Sequence, residues 1–532
     1  MVQRVSEAIE VERAAVGRAA AGMGLATAVS RVVGLGRVLV IAGVLGTSAL
    51  GDAFGSANAF SNVLFELLAA GALSAVLVPT FVAMLDRSDS VEAGRLAGGL
   101  LWWASVALGT VSLIAVVGAP VIARLLTAGV AGEGAAEQRT LVTYLLRWFV
   151  PQVVLYAFGA VATALLYARR RFAITAAAPI ANTIVIVVVL LAFRSAAGTE
   201  PGLDLDHGER LLLGLAGTGG VVGFVGVLVI AARREGFRVM PRRVPLRDAA
   251  FARLLRLGAW GVLMHSIVGL LLGAAIVLGA SVRGGVIAYY SAFVLFLAPY
   301  AVLAQPLHTA VLPELASLEN RGRDREWCDA TRWTLGAIAK LVLPATAIAI
   351  AVAGPVLVAF RLGELDERGA RMVAASFVGF VVGLLPYSAF LLFARACFSL
   401  GDSRSPALVA VAAGAVGVAT MALGTALSAG EARLAWLGAG HSAAYVVGAT
   451  ALGLVLARRG RRGLLSADIA RALAAAVVAC AAAFPVARIG NPDGRGETLA
   501  LGAIAVLAGS IAYLATMRLL GGRLEVRRRG AA

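Results

Sequence analysis

The sequence predicts an all-α polytopic membrane protein with about fourteen spanning helices. Three observations predict it. First, 60% of the 532 residues are hydrophobic and only 14% are charged, against about 25% charged in a soluble domain. That deficit is too large to cover a water-facing surface. Second, apolar runs of about 20 residues or more, enough to cross a bilayer as a helix, recur along the chain. Third, the basic residues sit in the short links between those runs, and their density alternates from one link to the next. A span made of strands would need alternating segments of roughly 10 residues, and these runs are far longer.

Taken in order, the runs lie near 24–46, 58–85, 98–126, 141–168, 173–193, 211–232, 254–280, 285–312, 334–360, 372–398, 406–427, 434–457, 469–488 and 498–520. The first lacks an A-x-A-like cleavage site and is too long for a signal peptide, so it stays as a helix. It carries Arg31 and Arg37, separated by about 240° around the helix. They need not share one narrow face, but both suit the border of a wide cavity. Arg37 lies well inside the run, where a guanidinium fork fits either bidentate phosphate binding or an internal ion pair with Glu66 or Asp52. Arg31 is nearer the cytoplasmic end, and the ion pair suits it better.

Asp52, at the outer start of the second helix, fits a cap of that helix. Glu66, in mid-helix, needs a partner. Asn62, Asn182 and Gln305 fit interhelical hydrogen bonding. Gly219 and Gly223, Gly269 and Gly273, and Gly379 and Gly383 are small-xxx-small pairs that read as close helix packing. His265, His308 and His441 fall in or near spans, and hydrogen bonding between helices is favoured over a proton relay. The longest link, 313–333, fits an amphipathic interfacial helix. Lys340 and Arg395 lie near span ends, where they would snorkel.

A net charge of +17 raises the possibility of nucleic-acid binding, but that requires a basic face on a soluble domain. Here no link is long enough to hold one. Lys340 is the sole lysine. With the N-terminus cytoplasmic, alternate links carry roughly 30 basic residues against roughly 10 on the other side. Both termini are therefore expected on the cytoplasmic side of the membrane. Cys328, Cys397 and Cys480 have no metal-ligand or redox spacing. No phosphate loop, H-E-x-x-H or G-x-S-x-G motif is present. We expect no enzyme chemistry, no cofactor and no metal.

Several stretches resemble the MurJ (MviN) family. They are Ser30-Arg31-Val32-Val33-Gly34-Leu35-Gly36-Arg37, then Leu45-Gly46, Gly51-Asp52-Ala53-Phe54, Asn62, Ala69-Ala70-Gly71-Ala72-Leu73-Ser74 and Val78-Pro79. Further on come Arg171-Phe172-Ala173-Ile174 with Ala178-Pro179 and Asn182, then Leu312-Pro313-Glu314-Leu315-Ala316. The last is Arg395-Ala396-Cys397-Phe398-Ser399-Leu400-Gly401-Asp402-Ser403-Arg404-Ser405-Pro406. The motifs occur in order along the whole chain.

The resemblance implies the fold of the multidrug/oligosaccharidyl-lipid/polysaccharide exporter superfamily, with two six-helix lobes plus two C-terminal helices. That places an N-terminal lobe over 1–232, a basic cytoplasmic linker over 233–253, a C-terminal lobe over 254–457, the last two helices over 469–520 and a basic tail over 521–532. It implies a flippase that carries lipid II, or a similar polyprenyl-pyrophosphate glycolipid, to the outer leaflet by alternating access. Membrane lipids and cell-wall synthesis machinery are the expected partners. The implied substrate-binding residues are Arg37, Arg31, Asp52, Asn62 and Arg395.

The sequence also departs from the family pattern. Val38 stands where an Asp is common, Phe65 and Phe293 stand where cavity arginines are expected, and Ala70 replaces an acidic residue. The alternatives are an exporter of another polyprenyl-linked glycan or amphiphile, and a transport-inactive cell-wall scaffold. A cationic-drug exporter would need acidic residues in its cavity, whereas arginine predominates here.

Overall fold

A computed structural model describes residues 29–30, 33–34, 36–65, 81, 84–85, 90–132, 134–169, 171–245, 249–359, 363–489 and 494–522. Arg31, Glu66 and Ala70 lie outside them. No strand occurs among the described residues. The helices are α1 (Gly36–Leu45), α2 (Ala49–Phe65), α3 (Ser90–Val117), α4 (Ala119–Leu126), α5 (Ala135–Phe149), α6 (Gln152–Ala168), α7 (Phe172–Ala197), α8 (His207–Arg234) and α9 (Ala249–Gly279). They continue with α10 (Gly285–Pro299), α11 (Gln305–Asn320), α12 (Asp324–Ala359), α13 (Glu367–Val381), α14 (Leu384–Ser399), α15 (Arg404–Leu427), α16 (Ala432–Arg458), α17 (Ala467–Val486) and α18 (Arg495–Leu519).

Among the described residues, ten helical stretches are long and apolar enough to cross a membrane, or eleven if the bent pair α13–α14 is one span. Gly36–Leu45 and Leu263–Gly279 add shorter apolar helices, and α2 runs up to the residues outside the description. This is consistent with the fourteen expected. The chain divides into two compact units. The first comprises Met1–Val44, Ser56–Leu125 and Glu133–Val262, and the second Leu45–Gly55, Leu126–Gly132 and Leu263–Ala532.

In the first unit, α5 and α6 act as one span of 34 residues, interrupted where Pro151 lacks an N–H to continue the helical ladder. Leu145, Leu146, Phe149, Val153 and Ala157 from both pieces are buried. Helix α8 starts at a capping box: Asp206 Oδ1 accepts the Glu209 N–H at 2.7 Å, and Glu209 Oε2 accepts the Asp206 N–H at 2.8 Å. Its Gly219 and Gly223 face Val185 of α7, where a β-carbon would come within 3.3 Å and 3.2 Å of the valine methyls. The segment after α8 is an anchored strap. Phe237, Val239 and Val244 are buried. The Arg242 N–H donates to the Gly98 carbonyl at 2.8 Å, and the Trp103 indole donates to the Val244 carbonyl at 2.7 Å.

In the second unit, α10 passes through one π-helical turn, Tyr300–Ala304, into α11, forming a 36-residue span. Helix α11 runs on to Asn320 and α12 starts at Asp324. The separate interfacial helix expected over 313–333 is therefore absent, because both flanking helices extend into that stretch and leave only a tight turn. Helices α13 and α14 meet at a 45° bend. Helix α13 is seamed to α16 at Gly379 and Gly438, where a β-carbon on either residue would strike a carbonyl of the opposing helix. The Ser442 hydroxyl donates to the Gly379 carbonyl across that seam at 2.6 Å. Gly273 of the second predicted pair faces open space. Helices α17 and α18 pack on each other and on α12. Lys340 does not snorkel. It pairs with Asp468 of α17 at 2.6 Å and is only 11% exposed, since a paired ammonium avoids the cost of a bare charge beside apolar helices.

Candidate functional site

Arg37 lies on α1, in the first unit, half-buried. Among the described residues no carboxylate pairs with its guanidinium and no side-chain hydrogen bond satisfies it. Asp52 is therefore not its partner, and Glu66 lies outside the description. A half-buried cation without a partner among the described residues is chemically suited to an anionic oxygen pair. Asn62, on α2 in the same unit, accepts a long 3.4 Å hydrogen bond from the Tyr156 hydroxyl and has a further partner. It fits the interhelical role expected of it.

Asp52 belongs to the second unit and is buried, at 2% exposure. The expectation that it caps its own helix fails, because Ser48 holds that position: its hydroxyl accepts the Gly51 N–H at 3.3 Å. One oxygen of Asp52 accepts the Gly284 N–H at 2.7 Å, and the other accepts the N–H groups of Val286 and Ile287 at 2.9 and 3.1 Å. These are donors at the start of α10 that have no partner inside the helix. Gly284 reaches this geometry at φ +79°, a conformation that glycine enters without strain. Thr47 and Asp366 join the same corner: the Thr47 hydroxyl donates to Asp366 Oδ1 at 3.4 Å, and the same oxygen caps α13 through the Gly369 N–H at 2.6 Å.

Arg395 lies on α14, also in the second unit. Its Nη1 is buried and has no hydrogen-bond partner among the described residues, so the expected escape of its head to water does not account for it. It sits beside His308 of α11, whose Nδ1 meets the Tyr300 hydroxyl at 3.2 Å. Asp52 and Arg395 share no hydrogen bond or ion pair.

Sequence reasoning missed an aromatic–histidine cluster in this unit. The Tyr289 hydroxyl and His441 Nε2 are 2.5 Å apart, and His441 Nδ1 meets the Tyr445 hydroxyl at 3.5 Å. Phe380 lies over His441 with ring centroids 4.7 Å apart. Phe293, which stands where the family pattern expects arginine, packs on Phe380 and on His441, each at 5.7 Å. The position is thus filled by tilted aromatic packing. The only sequence signal was a set of isolated polar rings in apolar runs. Among the described residues, no group of three or more His, Cys, Asp or Glu side chains could hold a metal ion.

The family model described as "Lipid II flippase MurJ" matches residues 41–490. A probable lipid II flippase MurJ of Rhizobium meliloti (strain 1021) is 26% identical over 75% of this chain and 73% of its own length. The lipid II flippase MurJ of Burkholderia cenocepacia is 24% identical over 72% and 73%. The structure resembles that of a lipid II flippase MurJ in an inward closed conformation, with a TM-score of 0.73 at 17% identity, over 94% of this chain and 98% of that one. It also resembles an inward-facing multidrug-resistance transporter of the MATE family and MOP superfamily, with a TM-score of 0.60 at 14% identity, over 82% and 95%. The match from residue 41 to residue 490 leaves no doubt of kinship: the chain belongs to the MurJ family of lipid II flippases.

Proposed function

We propose that this chain moves lipid II, a polyprenyl-pyrophosphate glycolipid, from the cytoplasmic to the outer leaflet of the bacterial inner membrane. The observation that carries the reading is the family match over residues 41–490. Arg37 supports it, since a half-buried guanidinium with no carboxylate partner among the described residues suits a pyrophosphate head. Arg31, six positions earlier in the sequence, would add a second cation, and alternating access would carry the head across. Asp52 would act through the start of α10 as a positioning residue. The excess of arginine in alternate links supports cytoplasmic termini. The test is complementation: cells depleted of their own flippase and given this chain should survive and deliver labelled lipid II to the outer leaflet. Death with precursor trapped inside would refute the reading.

One observation favours a second substrate of the same class, another polyprenyl-linked glycan. Phe293 sits in an aromatic cluster where family members are expected to carry a cavity cation. Export of that glycan with lipid II left inside would select this alternative.

A further inference from the structure

The second unit contains a lateral cavity that the transport reading does not use. It encloses about 550 Å³, a volume typical of small-molecule sites. It exists because successive helices part company. Helix α16 packs on α13, α14 and α15, whereas α17 packs on α12 and α18. The connection after Arg458 bridges the gap. Leu335 and Phe393 form inner walls, together with Ala449 of α16. Val446, Leu454 and Leu465 form a lip and are 48%, 56% and 73% exposed. The lip belongs to membrane-spanning helices and their connection, so it faces lipid chains.

Two arginines close one end, and they differ. Arg461 is committed: it is buried, pairs with Glu319 and Asp324 at 2.5 Å each, and lies over the Trp327 ring at 5.0 Å. Nearby Asp468 is likewise committed, to Lys340 and Arg471. Arg462 is exposed and has no ion pair among the described residues. The cavity is therefore an apolar slot with one uncommitted cation at its end, just past the last residue of α16. That pairing of surfaces matches an amphiphile with an anionic head.

We infer that this slot binds an anionic phospholipid of the bilayer, with one acyl chain between α14, α16 and α17 and its phosphate on Arg462. The site lies wholly within the second unit and is independent of what Arg37 binds. Basic pockets between spanning helices are suited to such head groups.

The experiment uses the full chain in phosphatidylcholine nanodiscs titrated with phosphatidylglycerol, with retained lipid counted by native mass spectrometry. Phosphatidylglycerol should be retained in preference to phosphatidylcholine. Arg462→Glu should cut that retention at least about fivefold, the worth of one arginine at an anionic surface. Thr450→Trp, which places an indole in the slot from an exposed position on α16, should exclude both lipids. It also keeps the test open if Arg462→Glu loses its helical circular dichroism. Equal retention of the two lipids by the parent protein overturns the inference. So does parental retention in either folded variant. Displacement of phosphatidylglycerol by equimolar undecaprenyl phosphate would assign the slot to the transported lipid class instead, and would equally overturn it.

Discussion

Asp52 and Gly284 are 232 residues apart, yet the Gly284 N–H donates to Asp52 Oδ2 at 2.7 Å. The same carboxylate takes two further N–H groups at the start of α10. A single buried side chain thus satisfies three backbone donors. Replacing an acceptor with a donor should be felt at once. Asp52→Asn would turn an NH₂ toward one of these N–H groups and cost about 1–3 kcal/mol. Asp52→Ala should cost at least as much. Thermal unfolding of the detergent-solubilised protein reads the difference, and an unchanged midpoint in both variants would show that the cap is energetically idle.

Gly284 should resist substitution for a second reason. Its φ of +79° disfavours any side chain, and a β-carbon there would collide with the Thr47 carbonyl. Gly284→Ala should destabilise by about 1–3 kcal/mol, while Gly273→Ala, in open space, should be close to neutral. Side-by-side melts of the two variants check this.

Arg37→Ala should leave stability near the parental value, because no ion pair among the described residues is broken. Transport should nevertheless fall by 10-fold or more, on the order of one charge-assisted hydrogen bond of about 1.5–3 kcal/mol. Arg37→Lys keeps the charge without the fork and should fall between. Outer-leaflet lipid II delivery, compared with melting temperature, separates binding from folding. A large loss of stability in Arg37→Ala would point instead to a structural ion pair.

The Tyr289–His441 contact predicts strong coupling. Tyr289→Phe leaves a buried imidazole nitrogen without its 2.5 Å partner and should cost about 1–3 kcal/mol. Adding His441→Phe should cost less than the sum of the two single changes, because the orphaned group is then gone. Strict additivity in that cycle would mean that the two side chains do not interact.

Asp402 lies in the turn between α14 and α15. Burial raises its pKa, but hydrogen bonds from Ser405 and the Arg459 charge outweigh this and hold the carboxyl below its ordinary value. Arg459 Nη2 is 2.6 Å from Asp402 Oδ2. The folded protein therefore binds this proton less readily than the unfolded chain. The resulting stability is complete above the unfolded value of about 3.9 and fades as pH falls through the lower folded value. The gap in stability between the parent and Asp402→Asn should stay constant from pH 8 to about pH 5 and shrink below about pH 4. A gap that instead grows with acid would reverse the assignment.

The spans were legible because a bilayer forces long apolar helices, and that demand is written in composition. The buried connections were not legible, because each joins residues distant in sequence. Asp52 looks like a local cap until α10 is set against it, and Ser48 takes the local role. Lys340 looks like a snorkelling residue until Asp468 appears beside it. Phe293 was legible as a lost cation, but its packing on Phe380 and His441 required the fold. Arg37 stood out from sequence alone because a charge deep in an apolar run conflicts with its surroundings. Arg31 and Glu66 lie outside the described residues.

The strap that follows α8 bears on how this protein is handled at the bench. Connections between spans usually accept tags and inserted residues. This one has a register: Phe237, Val239 and Val244 point inward while Arg238, Arg242 and Arg243 face solvent. One added residue would pull Val239 or Val244 from its buried position or break the Arg242 N–H bond to the Gly98 carbonyl. A reporter or protease site placed there would thus be read as a folding defect, and the exposed turn at Gly198 makes a safer point of entry.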